Sequence, residues 1–347
     1  GAGCVAMLTS LSLLLLEEGD AVLIPSPYYP AFDHDFFNFA HAVVCPIHGT
    51  QTGNPSQPFG VVTEEALETA YLAAQRRGRR PRAILLSNPN NPLASLHTLA
   101  EVRATLRFLD SHPELHLIMD EIYALSVFPA YSLDTPLTLL EGEGESAMPT
   151  RFVSVVELMG GRLGDRVHVV WSFSKDFAVS GLRVGVLYSQ NQALLAAMPA
   201  CNEPMMASNL TQYCLEQMLA DETFVQSYLA ANRQALHTSY EFLVSELCTV
   251  HVPVLPAHGA IFAFADFRHY LSQSGTLSTS EGFAEELALF EFLADEGVIL
   301  TPGESCQCPL PGFFRICYAF VPLSALTIAT QRLRSALRKW QEVKQQR

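Results

Sequence analysis

Lysine is scarce in this chain. Of its 21 basic residues only three are lysines, Lys175, Lys339 and Lys344, and the last two stand in a polar C-terminal tail. Arginine keeps its proton in proteins, whereas a partly desolvated ammonium can lose one, and only the neutral amine attacks a carbonyl. Position 175 is therefore the place in the body of the chain where amine chemistry can be done. Paired cysteines are also missing. The eight cysteines stand singly apart from Cys306 and Cys308, with no C-x-x-C spacing, which excludes a zinc ribbon or a dense disulfide framework and predicts a reduced, cytoplasmic protein. A basic surface is missing too. The formal charge of −14 argues against a nucleic acid or an anionic membrane as partner and leaves small molecules as the expected ones.

Long apolar runs are absent as well. The strongest, CVAMLTSLSLLLLEEGD over 4–20, is too short to span a bilayer and lacks a basic flank. It is expected to be a buried helix stopped by Gly19. Other motifs fail on their own terms. His112 and His116 have helix-face spacing, but Pro113 lies between them and no zincin glutamate is in place, so no metal is expected; the opening GAG lacks the third glycine of a dinucleotide fingerprint; and there is no G-x-S-x-G elbow.

What is present is an α/β rhythm. Apolar runs at 21–25, 41–47, 82–87, 115–120, 167–173 and 182–189 alternate with helical stretches at 63–77, capped by Thr63, and at 95–110. Several runs are continuous rather than alternating, as in strands buried on both faces of a mostly parallel sheet. After Pro199 the pattern changes to a long helix from Asp221 to about Glu246, a helix at 283–296, a strand-like FFRICYAF at 313–320 and a closing helix from Leu323. This predicts a large domain over 1–205 and a smaller α+β domain over 206–347, with surface loops at 141–146 and 272–282.

Four polar stretches fall at or in strands: SNPNNP (87–92), DEIY (120–123), SFSK (172–175), and Arg315 within FFRICYAF. One cofactor, pyridoxal phosphate, makes sense of all four. Lys175 would bond its aldehyde, and Asp120 would hold the proton on the ring nitrogen. Asn91 and Tyr123 suit the ring oxygen, and Tyr29 a ring face. Arg183, the hydroxyls of Ser172 and Ser174, and the backbone N–H groups of Ala2 and Gly3 at a helix start suit the phosphate. Each has a plainer reading. Asn91 can be a turn residue, Asp120 a helix cap, Tyr29 a packing residue, and Arg315 the partner of an internal carboxylate.

The stretch SFSKDFAVSGLRVG (172–185), with YYPAFDHD (28–35) and NPNNPL (88–93), resembles the class I/II aminotransferases, and most of all their 1-aminocyclopropane-1-carboxylate synthase branch. The resemblance implies the fold of the type I pyridoxal-phosphate enzymes. It implies that Lys175 holds the cofactor as an imine and shuttles the Cα proton, and that Asp120 and Tyr123 serve the ring. It also implies that Arg315, with Asn91 beside it, grips the α-carboxylate of an amino-acid substrate. A homodimer with sites near the subunit boundary is expected. Transamination is the simplest activity; the alternatives are a lyase reaction on S-adenosylmethionine and a homologue that keeps the fold without turnover. Ala94 stands where the family has glycine, so the turn after Asn91 is expected to tighten or shift. The start at Gly1, without methionine or an element before the first helix, leads us to expect that a substrate-facing N-terminal part is missing, together with a tyrosine for the neighbour's phosphate.

Overall fold

The computed structural model describes residues 1–54, 57–132, 149–272 and 279–345. The predicted loop at 141–146 and much of that at 272–282 lie outside the described residues. The first half of the chain builds a sheet with helices between its strands. Its elements are α1 (Gly3–Leu15), β1 (Asp20–Pro25), α2 (Phe32–Ala40), β2 (Val43–Ile47), α3 (Glu64–Arg76), β3 (Arg80–Ser87), α4 (Leu99–Ser111), β4 (His116–Asp120), α5 (Val155–Leu158), β5 (Val167–Ser172), α6 (Phe173–Asp176) and β6 (Gly185–Ser189). The strands run in the order β2-β1-β3-β4-β5-β6. All neighbours are parallel except β6, which runs antiparallel to β5. Apolar clusters cover both faces: Leu23, Ile84, Leu86 and Met119 pack toward α3 and α4, while Val22, Leu85, Ile118 and Val170 pack toward α1 and α2. Burial on both faces is what the continuous apolar runs require.

The rest of the chain comprises α7 (Gln192–Asn202), α8 (Asn209–Ala220), the 27-residue α9 (Glu222–Cys248), β7 (Phe262–Asp266), α10 (Thr279–Asp295), β8 (Thr301–Pro302), β9 (Phe313–Cys317) and α11 (Leu323–Gln345). Strands β7, β9 and β8 form an antiparallel sheet in that order. Leu243 and Leu247 of α9, Leu289 and Leu293 of α10, and Leu333 and Leu337 of α11 close its core. No helix among the described residues is long and apolar enough to cross a membrane.

Several boundaries differ from those expected, each for a local reason. The helix over 4–20 ends at Leu15, because Leu16 turns extended; Gly19, at φ +84°, serves the turn into β1 rather than the helix stop. The helix predicted from 95 starts at Leu99. Thr98 caps it through the N–H of Glu101, whose carboxylate returns to the Thr98 N–H, a reciprocal cap that fixes the start. The run at 182–189 becomes a strand only at Gly185, since Arg183 is left-handed at φ +54°. The helix expected at 283–296 begins four residues earlier, at Thr279, and the strand-like run at 313–320 stops at Cys317.

The start of α1 is pinned to the start of β6. Gly185 donates its N–H to Gly1 O at 2.8 Å, and a Cβ on Gly185 would fall within 3 Å of Gly3 backbone atoms, its Cα at 2.7 Å. Gly185→Ala is expected to destabilise the chain by about 1–3 kcal/mol through overpacking against rigid backbone. Gly181→Ala, with open space at its Cβ position and an ordinary φ, should stay within about 0.5 kcal/mol. Urea unfolding of the two variants checks this; equal midpoints would show that the close approach carries no strain.

Candidate active site

Strands β3, β4 and β5 end side by side, and the loops leaving these ends carry the chemistry, as in other open α/β sheets. Ser87 and Asp120 are register partners, and the Ser87 hydroxyl donates to Asp120 Oδ2 at 3.2 Å. Asp120 Oδ1 accepts the N–H of Ile122 at 3.3 Å. Burial pushes the Asp120 carboxyl up to about 6, a rise opposed by these hydrogen bonds and by the charge of Lys175. Beyond β5, the one-turn helix α6 presents Lys175. Among the described residues, its ammonium makes no hydrogen bond.

A cavity of about 300 Å³ opens over these ends. Tyr29, Asn91, Asp120 and Tyr123 line it, as do Ser174, Lys175, Arg183 and Arg315. Eight of the eleven residues singled out in the sequence thus meet at one surface. Ser172 does not reach it. Fully buried, it caps α6 by accepting the N–H of Ser174 at 3.0 Å, and its hydroxyl donates to Ser174 Oγ at 2.7 Å. Ala2 and Gly3 also lie outside the lining, and their N–H groups are spent on Met205 O (2.7 Å) and Gly1 O (2.9 Å). Gly3 nevertheless touches the site through Arg183, since a Cβ there would fall 2.8 Å from Nη2.

The two arginines have different surroundings. Arg183 is exposed, with Nη1 on Ser180 O at 3.0 Å and Nη2 on Ala2 O at 2.9 Å. Arg315 is half-buried on β9, with its guanidinium 5.4 Å from the centre of the Phe262 ring. It donates to Asn91 Oδ1 at 2.9 Å and to Thr301 Oγ1 at 3.3 Å. Both are neutral. Among the described residues, no carboxylate lies within ion-pair distance of either arginine, so the internal partner that would explain Arg315 by the fold alone is not among them.

Tyr123 is buried, edge-on to Phe262 at 5.3 Å, and burial lifts its phenol well above the ordinary range. Among the described residues its hydroxyl has no hydrogen bond, so it faces the cavity with its capacity unused. Tyr29 packs edge-on against Phe32 at 5.4 Å and is half-buried. The turn after Asn91 keeps a left-handed backbone: Ala94 sits at φ +57°, fully buried, its N–H on Asn90 O and its carbonyl accepting from His258 N–H, both at 2.9 Å. Alanine bears there a conformation that costs an L-residue about 1–2 kcal/mol and glycine little. The turn neither tightens away from that shape nor withdraws Asn91 from the cavity.

The structure adds residues that the sequence reading missed. Thr301 and Phe262 hold Arg315. Asp35, on α2, lines the cavity, and burial together with the charge of Asp120 raises its carboxyl to about 7. Its signal was available as a second acid six residues beyond Tyr29. Asp176 is turned away from the cavity and accepts Ser126 Oγ at 2.6 Å, Trp171 Nε1 at 2.8 Å and Leu125 N–H at 3.0 Å. It ties the turn of Lys175 to the segment that follows Asp120.

The sequence model of the family described as aminotransferase class I and II matches residues 1–333. The chain is 35% identical over 341 residues to 1-aminocyclopropane-1-carboxylate synthase 1 of Oryza sativa subsp. indica, covering 96% of this chain and 64% of that protein. It is 36% identical to synthase 4 of Oryza sativa subsp. japonica, covering 98% and 66%. It therefore spans just under two thirds of the length of these relatives. Among solved structures, a Thermus thermophilus aspartate aminotransferase mutant superposes with a TM-score of 0.75 at 20% identity, over 96% of this chain and 74% of that one. The Rhizobium meliloti aspartate aminotransferase gives 0.75 at 23%, over 97% and 75%. These superpositions establish the type I fold of the aminotransferases, and the sequence match over nearly the whole chain establishes that it belongs to the class I and II aminotransferase family.

Proposed function

We propose that this chain binds pyridoxal phosphate and acts on an α-amino acid. One observation carries the reading: a single cavity takes an amine, a buried carboxylate and a guanidinium, and among the described residues the carboxylate has no arginine partner and the guanidinium no carboxylate partner. Each of these costs free energy in the empty protein, and each is matched by one part of a cofactor–substrate pair. When bound, pyridoxal phosphate supplies an aldehyde that captures an amino acid and a pyridine ring that accepts the electrons of a breaking Cα bond.

The protein's own groups divide the remaining work. Asp120, ionised, holds a proton on the ring nitrogen by a charge-assisted hydrogen bond. Asn91 and Tyr123 offer neutral donors to the ring oxygen, and Tyr29 covers a ring face. Arg183 and Ser174 serve the phosphate, with Ser172 holding Ser174 in place. Lys175 would hold the aldehyde and supply the amine that moves the substrate's Cα proton. Arg315 would hold the α-carboxylate through its planar guanidinium, which can offer two parallel bonds and so orient the bond to be cleaved. The polypeptide divides at about residue 205 into a larger cofactor-binding part and a smaller part bearing Arg315. Exposed Val5, Val186, Tyr188, Leu210 and Tyr213 support a homodimer in which a second copy covers apolar surface.

The reaction is transamination of a small amino acid or the formation of 1-aminocyclopropane-1-carboxylate for which the rice relatives are named. Their 35–36% identity favours the second reading. Both begin with the same proton transfer at Lys175. Pyridoxal phosphate added to the purified protein should give an imine absorbance band that borohydride fixes to the wild type and not to Lys175→Ala. Absence of fixation in folded wild type would overturn the proposal. Keto-acid and cyclopropane-product assays on the holoprotein then separate the two reactions.

The buried carboxylate makes a second, cofactor-free prediction. The folded-state value of Asp120, about 6, lies above the usual 3.8, so between these values the folded protein binds more protons than the unfolded chain. The contribution of Asp120 to stability therefore falls as pH rises from about 4 to about 6 and stays at the lower level above that. The displacement corresponds to about 3 kcal/mol at ~1.4 kcal/mol per pH unit. Asp120→Asn should match wild type near pH 4 and exceed it by up to about that amount at pH 7.5 in urea unfolding. Equal stability at both pH values would mean the carboxylate is compensated within the fold. Arg315→Lys tests the substrate end. It should raise KM for an amino acid about ten- to hundredfold while leaving the imine spectrum intact, and it should affect an amine lacking a carboxylate far less. Equal losses for the two substrates would assign Arg315 to the fold.

A further inference from the structure

Helix α2 carries two nearby acids, and only one of them is satisfied. Asp33 accepts the Tyr28 hydroxyl at 2.9 Å and the Gln307 amide at 3.3 Å. Asp35 is only 8% exposed and lines the cavity of Lys175. Among the described residues its carboxyl has neither a hydrogen-bond donor nor a cation within ion-pair distance. A buried charge in that state is costly, and such a group keeps its proton instead.

Its surroundings place it at one end of the cavity. The charge acting on it is that of Asp120. From α1 it faces Cys4, and from the stretch before α2 it faces Tyr29; burial first, and then the charges of Asp35 and Asp120, hold the protons on both. Strand β2, which also packs on α2, brings only Cys45, and that thiol belongs to the cluster on the other face of the sheet. The cations of the cavity are engaged elsewhere. Arg183 donates to Ser180 O and Ala2 O, Arg315 donates to Asn91 and Thr301, and the charge of Lys175 acts on Asp120. Asp35 thus shares the end of the cavity where Asp120 and Tyr29 stand, the end assigned above to the cofactor's ring.

We propose that Asp35 is a positioning residue acting through Asp120: neutral in the empty protein, it gives its proton to solvent when Asp120 holds a pyridinium, and its new negative charge tightens that hold. The inference rests on the function proposed above. Two carboxyls facing one cavity ionise together only at a cost, so they titrate as a pair, and a cation beside them lifts the penalty. Burial and the charge of Asp120 raise the Asp35 carboxyl to about 7, so in the empty protein the proton is present below neutrality and lost above it.

The test uses pyridoxine 5′-phosphate, which has an alcohol in place of the aldehyde and so forms no bond with Lys175. Titration calorimetry in buffers of different ionisation enthalpy counts the protons released by wild type and by Asp35→Asn. Both proteins share whatever the phosphate releases, so the difference reads Asp35. If the carboxyl falls by about one pH unit on binding, wild type releases about half a proton more than the variant at pH 6.5 and almost none more at pH 8.5. By the same linkage the variant binds about tenfold more weakly than wild type at pH 8.5 and within about twofold of it at pH 5.5. Asp35→Ser, equally uncharged, should reproduce both differences and serves should the amide fail to fold. Equal proton counts, or one factor of lost affinity at both pH values, would assign Asp35 to the fold and overturn the inference while leaving the proposed function standing. No saturable binding by wild type at either pH would overturn both.

Discussion

The carboxylate of Asp176 is the tie on which the arrangement of the site rests. Lys175 stands on a helix of a single turn, too short to hold itself in place, and a flexible side chain there could point anywhere. Asp176, the next residue, fastens that turn from behind by accepting from Ser126, Leu125 and Trp171. Two of those donors belong to the segment that leaves Asp120 and Tyr123. The same segment is held from the other side, where Arg233 of α9 donates to Leu125 O at 3.0 Å. The relative position of Lys175 and of Asp120 and Tyr123 is thereby set by buried hydrogen bonds rather than by the cavity-facing groups themselves. Burial raises the Asp176 carboxyl to about 6, so the tie is charged at neutral pH, where its three donors offset part of the cost of burying that charge.

With position secured elsewhere, the cavity-facing groups can stay unsatisfied. Asp120 has two neutral donors and the field of Lys175; Arg315 has an amide oxygen, a hydroxyl and a ring face; Tyr123 has only packing. A fold optimised for stability would pair the charges directly or replace them by apolar residues. Here Asp120 and Arg315 stand on different sheets, each stabilised just enough to persist. Such a site favours a ligand carrying both charges, because the cost of burial is already met before binding. Arg183 is held differently. Its exposure and its carbonyl partners make it a screened charge, weaker per contact than the half-buried Arg315.

How much of this was legible depended on whether the signal was local. The strands announced themselves as apolar runs, and Asn91, Asp120 and Lys175 could be placed because each follows such a run by a few residues. Arg315 could be suspected because a cation inside an apolar strand needs a reason. Thr301 and Phe262 carry no local mark; they matter only because β8 and β7 flank β9. Ser172 was misjudged for the opposite reason. Its place before the lysine reads equally as ligand or as cap, and only its full burial separates the two. The early end of α1 and the late start of α4 likewise turned on caps at Leu16 and Thr98, single residues that periodicity does not weigh.

The scarcity of lysine can now be read in physical terms. Lys339 and Lys344 both lie on α11, where Lys339 pairs with Glu296 at 2.5 Å and Lys344 lies 3.4 Å from Glu285 and donates to Tyr270 O at 3.2 Å. Neither is among the residues lining the cavity of Asp120 and Arg315. An aldehyde entering that cavity thus meets a single amine, with no second lysine to compete for it. Arginine places cationic charge there, at Arg183 and Arg315, without adding nucleophiles, because a guanidinium stays protonated. On the proposed function, the division between one lysine and inert arginines would let the site hold two carboxylate- or phosphate-binding charges beside an electrophile while leaving only one place in the cavity lining for it to react.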